Sequence, residues 1–211
     1  MTTMFIFLKY ILSFSLIAFF LSSCSTLSKD ECNAADWKTI GYADGARGYQ
    51  ASRIDRHRSA CAEYSIRPNL DEYSQGRNSG LVQYCTPNTA YRLGISGYRY
   101  NGVCAAHNEE KFVEAFHQGL NIYQAKNKLK DLKSQYTEED FHIVKLEKKL
   151  YKKENRLVSG KLPRAKAIEV LNRTKEITQE IEEAKSQQFD LNNIINRQSQ
   201  HIQYLENKPY Q

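Results

Sequence analysis

Asp36-Trp37-Lys38-Thr39-Ile40-Gly41-Tyr42-Ala43-Asp44-Gly45-Ala46-Arg47-Gly48-Tyr49 is the stretch from which the rest of the chain is best read. Tyr42, Gly45 and Tyr49 are spaced three and then four apart, which places all three on one face of a helix. A glycine between two aromatic residues makes a notch flanked by ridges. Another backbone can approach closely there. Gly41 adds a second small residue one turn before Gly45, as in small-xxx-small helix contacts. Glycine inside a helix costs about 1 kcal/mol relative to alanine. A sequence that accepts this cost repeatedly needs the close approach.

The device recurs at Tyr73–Gly76–Gly80, Tyr91–Gly94–Tyr98 and Phe116–Gly119–Tyr123. The gaps between instances are unequal, so the chain does not read as a solenoid. Packing of helix on helix explains the pattern better than a ligand site does. Helices are expected near 33–48, 53–64, 69–84 and from 109 onward, with Pro68-Asn69 and Pro87-Asn88 as punctuation. Residues 86–108 read as a compact loop with at most one turn of helix.

Four cysteines, Cys32, Cys61, Cys85 and Cys104, lie in this region. An even count in an exported chain points to disulfides, and four cysteines allow three connectivities. A zinc site is the rival reading, but the spacings are wide and no CxxC pair exists. If the first three helices run up, down and up, Cys32 and Cys61 meet at one end, and Cys85 and Cys104 bracket the loop. The expected pairs are Cys32–Cys61 and Cys85–Cys104. Crosslinks compensate for the limited core of a module this small.

From about Lys126 the composition shifts to Lys, Glu, Gln, Asn, Leu and Ile. With Leu129 at heptad position a, the a series continues through Tyr136, Ile143, Leu150 and Leu157, and the d series through Leu132, Glu139, Leu146 and Lys153. Thr137-Glu-Glu-Asp140 resembles a helix start, but the register runs through it, so a kink at most is expected. Ser159-Gly160-Lys161-Leu162-Pro163 ends the first helix. The second run places Thr174, Ile181, Gln188, Ile195 and Ile202 at a, and Val170, Ile177, Ala184, Leu191, Gln198 and Leu205 at d. The two should fold back as an antiparallel coiled-coil hairpin. Its apolar seam closes on itself or pairs with another chain.

At the other end, Lys9 precedes an apolar run from Tyr10 to Phe20 and then Leu21-Ser22-Ser23-Cys24. One cation, a short hydrophobic stretch and small residues at the exit form a signal peptide, too short and serine-laced for a comfortable transmembrane helix. Leu21-Ser-Ser-Cys24 resembles the bacterial lipobox, which implies cleavage before Cys24 and lipid on its thiol and amine. Each buried methylene adds about 0.8 kcal/mol, so two or three acyl chains hold stably. Ser25 in place of an aspartate points to the outer membrane, facing the periplasm.

The organisation expected is a signal peptide over 1–23, a lipidated tether over 24–31, a Gly/Tyr/Cys-rich helical module over 32–124 and the hairpin over 125–207. The fold class is all-α: a small disulfide-crosslinked head followed by a long coiled-coil hairpin.

Charge adds little. Without the leader, 29 basic and 24 acidic side chains leave +5, spread over both halves. No basic arm exists, and nucleic-acid binding is not expected of an exported chain. Mild attraction to anionic envelope polymers or lipid head groups is all this charge supports.

The run quoted first, with Arg53, His57, Cys61, Tyr73, Gly76-Arg77, Gly80-Leu81, Tyr84-Cys85-Thr86-Pro87, Gly97-Tyr98, Tyr100 and Gly102-Val103-Cys104, resembles the proteobacterial lipoprotein family catalogued as domain of unknown function 2799. The resemblance covers roughly Cys32 to Tyr123. It implies a lipoprotein with this architecture and brings no activity with it.

Three classes of function follow. The first is a structural or protein-interaction role in the envelope, through the membrane anchor and the coiled coil, with self-association or another envelope protein as partner. The second is a glycan or peptidoglycan-fragment binding module, since aromatic faces with Arg and Asp suit sugars and carboxylates. Asp44, Arg47, Arg53, His57 and Arg77 are the candidate binding residues, and surface or helix-stabilising roles are the plainer account of each. The third is an enzyme. It is not expected: the five histidines are scattered, and no nucleophile elbow, HExxH or triad order appears. No cofactor or metal is called for.

Overall fold

The computed structural model describes residues 28–107 and 109–208. The signal peptide and Cys24 lie outside the described residues. Seven helices are described: α1 (Lys29–Asn33), α2 (Trp37–Ala46), α3 (Arg53–Ala62), α4 (Leu70–Tyr84), α5 (Pro87–Ile95), α6 (Glu109–Val158) and α7 (Arg164–Asn207). The chain divides into two compact units between Tyr84 and Cys85.

Polar side chains start the short helices. Ser28 and Glu31 form a reciprocal capping box on α1. Asp36 accepts hydrogen bonds from Lys38 N and Thr39 N at the start of α2, and Asn69 Oδ1 accepts from Asp71 N and Glu72 N at the start of α4. At α5, Thr86 is the cap and Pro87 the first helical residue, where a missing N–H costs nothing. That start corrects the expectation for residues 86–108. A nine-residue helix occupies Pro87–Ile95, because its cap and its small residues, Ala90 and Gly94, serve a helix contact and not a loop.

In the first unit, α2 and α4 pack directly and run in the same direction. A Cβ on Gly41 would collide with Tyr73 O, and one on Gly45 with Arg77 O. From the other side, Gly76 faces Lys38 O and Gly80 faces Tyr42 O. The backbones touch at four glycines. Gly48, with φ at +72°, ends the stretch against the ring of Tyr84. A small core of Cys32, Trp37, Ile54, Cys61 and Tyr73 lies beside this contact, and the Cys32–Cys61 disulfide joins α1 to α3.

The second unit repeats the arrangement. Gly94 faces Phe116 O as Gly45 faces Arg77 O. Gly119 faces Tyr91 O and Ile95 N as Gly80 faces Tyr42 O and Ala46 N. Gly97, with φ at +71°, abuts the ring of Tyr123 as Gly48 abuts Tyr84. The numbering offset is 49 along the first helix (Tyr42 to Tyr91, Gly45 to Gly94, Gly48 to Gly97, Tyr49 to Tyr98) and 39 along the second (Tyr73 to Phe112, Gly80 to Gly119, Tyr84 to Tyr123). Each copy has one disulfide, Cys85–Cys104 in the second. The four notches seen in the sequence are therefore two copies of one parallel helix pair.

The second unit then continues into the hairpin, with α6 unbroken through Thr137. From 129 to 157 every a and d position is buried or half-buried and every other position is exposed. Leu146, Ile177 and Ile181 form the centre of the seam. The Lys126–Glu206 and Lys185–Glu147 ion pairs show the antiparallel register. Gly160, at φ +66°, makes the turn. Among the described residues no helix is long and apolar enough to cross a membrane.

Candidate functional site

Four of the five residues selected from the sequence come together in the first unit. Asp44 lies on the buried side of α2, and His57 and Arg53 project from α3 one turn apart. Arg77 comes from α4. Asp44 is 4% and His57 5% exposed, the two polar side chains of the buried set. His57 Nε2 donates to Asp44 Oδ2 at 2.7 Å, and Tyr73 Oη donates to the same oxygen at 2.9 Å. A carboxylate carries enough lone pairs for both, and its charge strengthens each bond. Burial, and then the hydrogen bond to Asp44, push the Tyr73 phenol far above the usual tyrosine range, while Arg77 and Arg53 oppose the shift.

The two arginines converge on Tyr49. Arg77 donates from Nε and Nη2 to the Tyr49 carbonyl, at 3.0 and 2.8 Å. The Arg53 guanidinium carbon lies 4.7 Å from the centre of the Tyr49 ring, a cation–π contact. Arg53 Nε and His57 Nδ1 are buried and make no hydrogen bond to described residues. Arg47 stays outside the group, exposed at the C-cap of α2.

Tyr73 and Tyr49 complete the group, and sequence reasoning misses both as site residues. Their signal is their place in the glycine–aromatic pattern, which reads as packing.

The second copy shows what the fold itself requires. Leu93 stands at the position of Asp44 and Phe112 at that of Tyr73. Tyr100, four residues before Cys104, stands where His57 stands four before Cys61. The Tyr100 ring packs on Phe112 with centroids 4.8 Å apart, and the His57 ring packs edge-on against Tyr73 at 6.0 Å. The same helix pair thus closes without the Asp–His–Tyr network. Chemistry added to one copy and absent from the other is not demanded by packing.

A second candidate surface lies on the hairpin. Eight large apolar residues are exposed there: Phe141, Val144, Tyr151 and Val158 on α6, and Ile168, Leu171, Phe189 and Tyr204 on α7. In heptad terms six of them occupy positions b and e; Phe141 is at f, on the face away from the seam, and Tyr204 is at c. The Lys126–Glu206 and Lys185–Glu147 pairs join e to e across the hairpin, so the six b and e residues lie on that side and Tyr204 on the other. The opposite side carries His142, Lys149 and Arg156 from α6, and Arg173 and Glu180 from α7. The b/e edge thus combines six exposed apolar residues with two ion pairs, and the opposite edge is mainly charged.

Residues 36–121 match the model of a family described as "Protein of unknown function (DUF2799)". The segment carries that domain, in agreement with the resemblance read from the glycines and cysteines. It begins at the cap of α2 and ends just past Gly119, so it spans both copies of the helix pair and stops before the hairpin. No curated protein and no solved structure matches the chain.

Proposed function

We propose that the chain is an envelope lipoprotein, held to a membrane through lipid on Cys24 and facing the periplasm, that works by docking protein surfaces along its hairpin. The observation that carries this reading is the set of exposed apolar residues on the b/e edge, Val144, Tyr151, Val158, Ile168, Leu171 and Phe189. Val158 is 85% exposed and Phe189 66%. A helical hairpin whose seam already closes has no packing use for a second apolar stripe. Exposed apolar side chains gathered on one edge support an interaction site there. A third or fourth helix laid along the edge would bury it as a helix bundle does. The partner is a helical face of another envelope protein or of a second copy.

In-cell crosslinking followed by mass spectrometry tests this, with Cys24→Ala as the control for the anchor. Crosslinks are expected to map to the b/e edge, and to be lost when Val144 and Phe189 are both changed to serine. Recovery of neither a partner nor a self-crosslink would remove the interaction role. Wild-type fractionation of the Cys24→Ala chain would remove the anchor.

A further inference from the structure

The second copy of the helix pair is an internal reference for the first. It passes from Tyr98 to Phe112 in 14 residues, and the first copy takes 24 from Tyr49 to Tyr73. The ten extra residues are not needed to join helices of this geometry. The longer connection of the first copy holds α3 and the turn that follows it, which carry Arg53, Arg56, Arg58 and Arg67 against Asp55 and Glu63.

This connection, with Leu70 of α4, forms an open cleft of about 630 Å³. Arg58 and Arg67 line it together with Ala62, Ile66, Pro68 and Leu70, and Ser65 contributes a hydroxyl. Every charge in the lining is positive. Among the described residues Arg58 is paired only with Asp55, at 3.2 Å, both side chains being more than half exposed. Such a pair exchanges readily for a better anion. Guanidinium groups match phosphate in shape and donor number, and the apolar lining suits the carbon chain next to it.

The cleft's place in the chain selects the source of that phosphate. Ala62 of the lining adjoins Cys61, whose disulfide partner is Cys32 of α1, with Cα atoms 5.6 Å apart. The chain toward Cys24 therefore leaves from beside the cleft. Ser28 is four residues from Cys24, which spans at most about 14 Å when fully extended. Lipid on Cys24, as proposed above, holds this end of the first unit at the bilayer surface.

We infer that the cleft binds the phosphate of an anionic phospholipid in the membrane that holds Cys24, with Arg58 and Arg67 on the phosphate. The choice of a lipid as ligand rests on the anchor proposed above; the phosphate chemistry does not. A soluble phosphate monoester shares that chemistry, and the test separates the two.

The test uses the chain from Ser25 onward, which keeps every described residue and carries no lipid. Its sedimentation is measured with vesicles of phosphatidylcholine, alone and with about one-third phosphatidylglycerol. Each cation near an anionic surface contributes roughly a factor of five. Preference for the anionic vesicles should therefore fall about tenfold or more in Arg58→Gln/Arg67→Gln. It should be kept in Arg92→Gln/Arg99→Gln, which removes equal charge from the second copy, and largely kept in Arg58→Lys/Arg67→Lys. Equal loss in the two glutamine doubles, or no preference for anionic vesicles in the parent, overturns the inference. Binding of glycerol phosphate that depends on Arg58 and Arg67, without vesicle binding, overturns the assignment to lipid. The chain carries no acyl group in this assay, so the result is independent of the Cys24→Ala fractionation.

Discussion

Asp44 and His57, 13 residues apart in sequence, share a 2.7 Å hydrogen bond in the buried part of the first helix pair. Changing Asp44 alone to alanine leaves the His57 nitrogen and the Tyr73 hydroxyl without their acceptor. Each orphaned group costs about 1–3 kcal/mol. Replacing the whole network by apolar side chains, Asp44→Leu and Tyr73→Phe as in the second copy together with His57→Phe, removes the orphans along with the bonds. The triple variant should melt at a higher temperature than Asp44→Ala in denaturation followed by circular dichroism. A triple variant less stable than the single one would show that the two copies do not share a core plan.

Gly80→Ala and Gly119→Ala each place a methyl group where the neighbouring helix has a carbonyl, Tyr42 O or Tyr91 O. Helix propensity alone would make these changes favourable by about 1 kcal/mol. Backbone cannot yield as a flexible side chain does, so overpacking prevails and each variant should lose about 1–3 kcal/mol. A methyl group on Gly102 would meet nothing within 4 Å, so the cost of Gly102→Ala comes only from its φ of +69°. Urea unfolding of the three variants separates the two effects.

Stability should fall in alkali, and Tyr73 sets part of the fall. Its folded pKa lies above the unfolded value, so the neutral phenol is favoured by folding. That contribution is complete below about pH 10 and is lost as the pH rises from there toward the folded value. Burial raises Tyr84 in the same direction. Absorbance titration should find tyrosines that ionise only with unfolding, and Tyr73→Phe should flatten the alkaline slope of the melting temperature.

Reduction should destabilise both units by similar amounts. The Cys32–Cys61 and Cys85–Cys104 bridges close loops with separations of 29 and 19 residues. Chain entropy assigns each about 3–4 kcal/mol. Melting of Cys32→Ser/Cys61→Ser and Cys85→Ser/Cys104→Ser variants checks this. An effect far larger in the first would mean that its bridge also holds α1 and the cleft in place.

The helices and the heptad register are legible in the sequence because they follow local rules. Leu129 to Leu157 repeats every seven residues, and Asp36, Ser28 and Thr86 sit where helix caps belong. The duplication is hidden by spacing. An offset of 49 along the first helix and 39 along the second gives no single period, and only the equivalent contacts made within each copy, by Gly45 as by Gly94 and by Gly80 as by Gly119, align the copies. Distance in sequence likewise hides Tyr73 from Asp44. Residues 29 apart meet because two helices pack, and nothing near either residue announces the partner. Helix α5 escapes a sequence reading because Ala90, Gly94 and Gly97 resemble loop composition, although Thr86 and Pro87 start a helix.

Helix α6 belongs to two structures at once. Its first turns carry Phe116 and Gly119 against α5, and its later turns, from Leu129 on, carry the hairpin seam. No proline or glycine interrupts it between Gly119 and Val158. At 1.5 Å per residue its 50 residues make a rod roughly 75 Å long. A load taken up near the turn at Gly160 has no joint in which to dissipate. It arrives as torque on the contact between Gly94 and Gly119, where two backbones touch and little can slide. Pulling on the far end of the hairpin would thus be felt, at a lever arm of tens of ångströms, by the helix pair that the Cys85–Cys104 bridge reinforces.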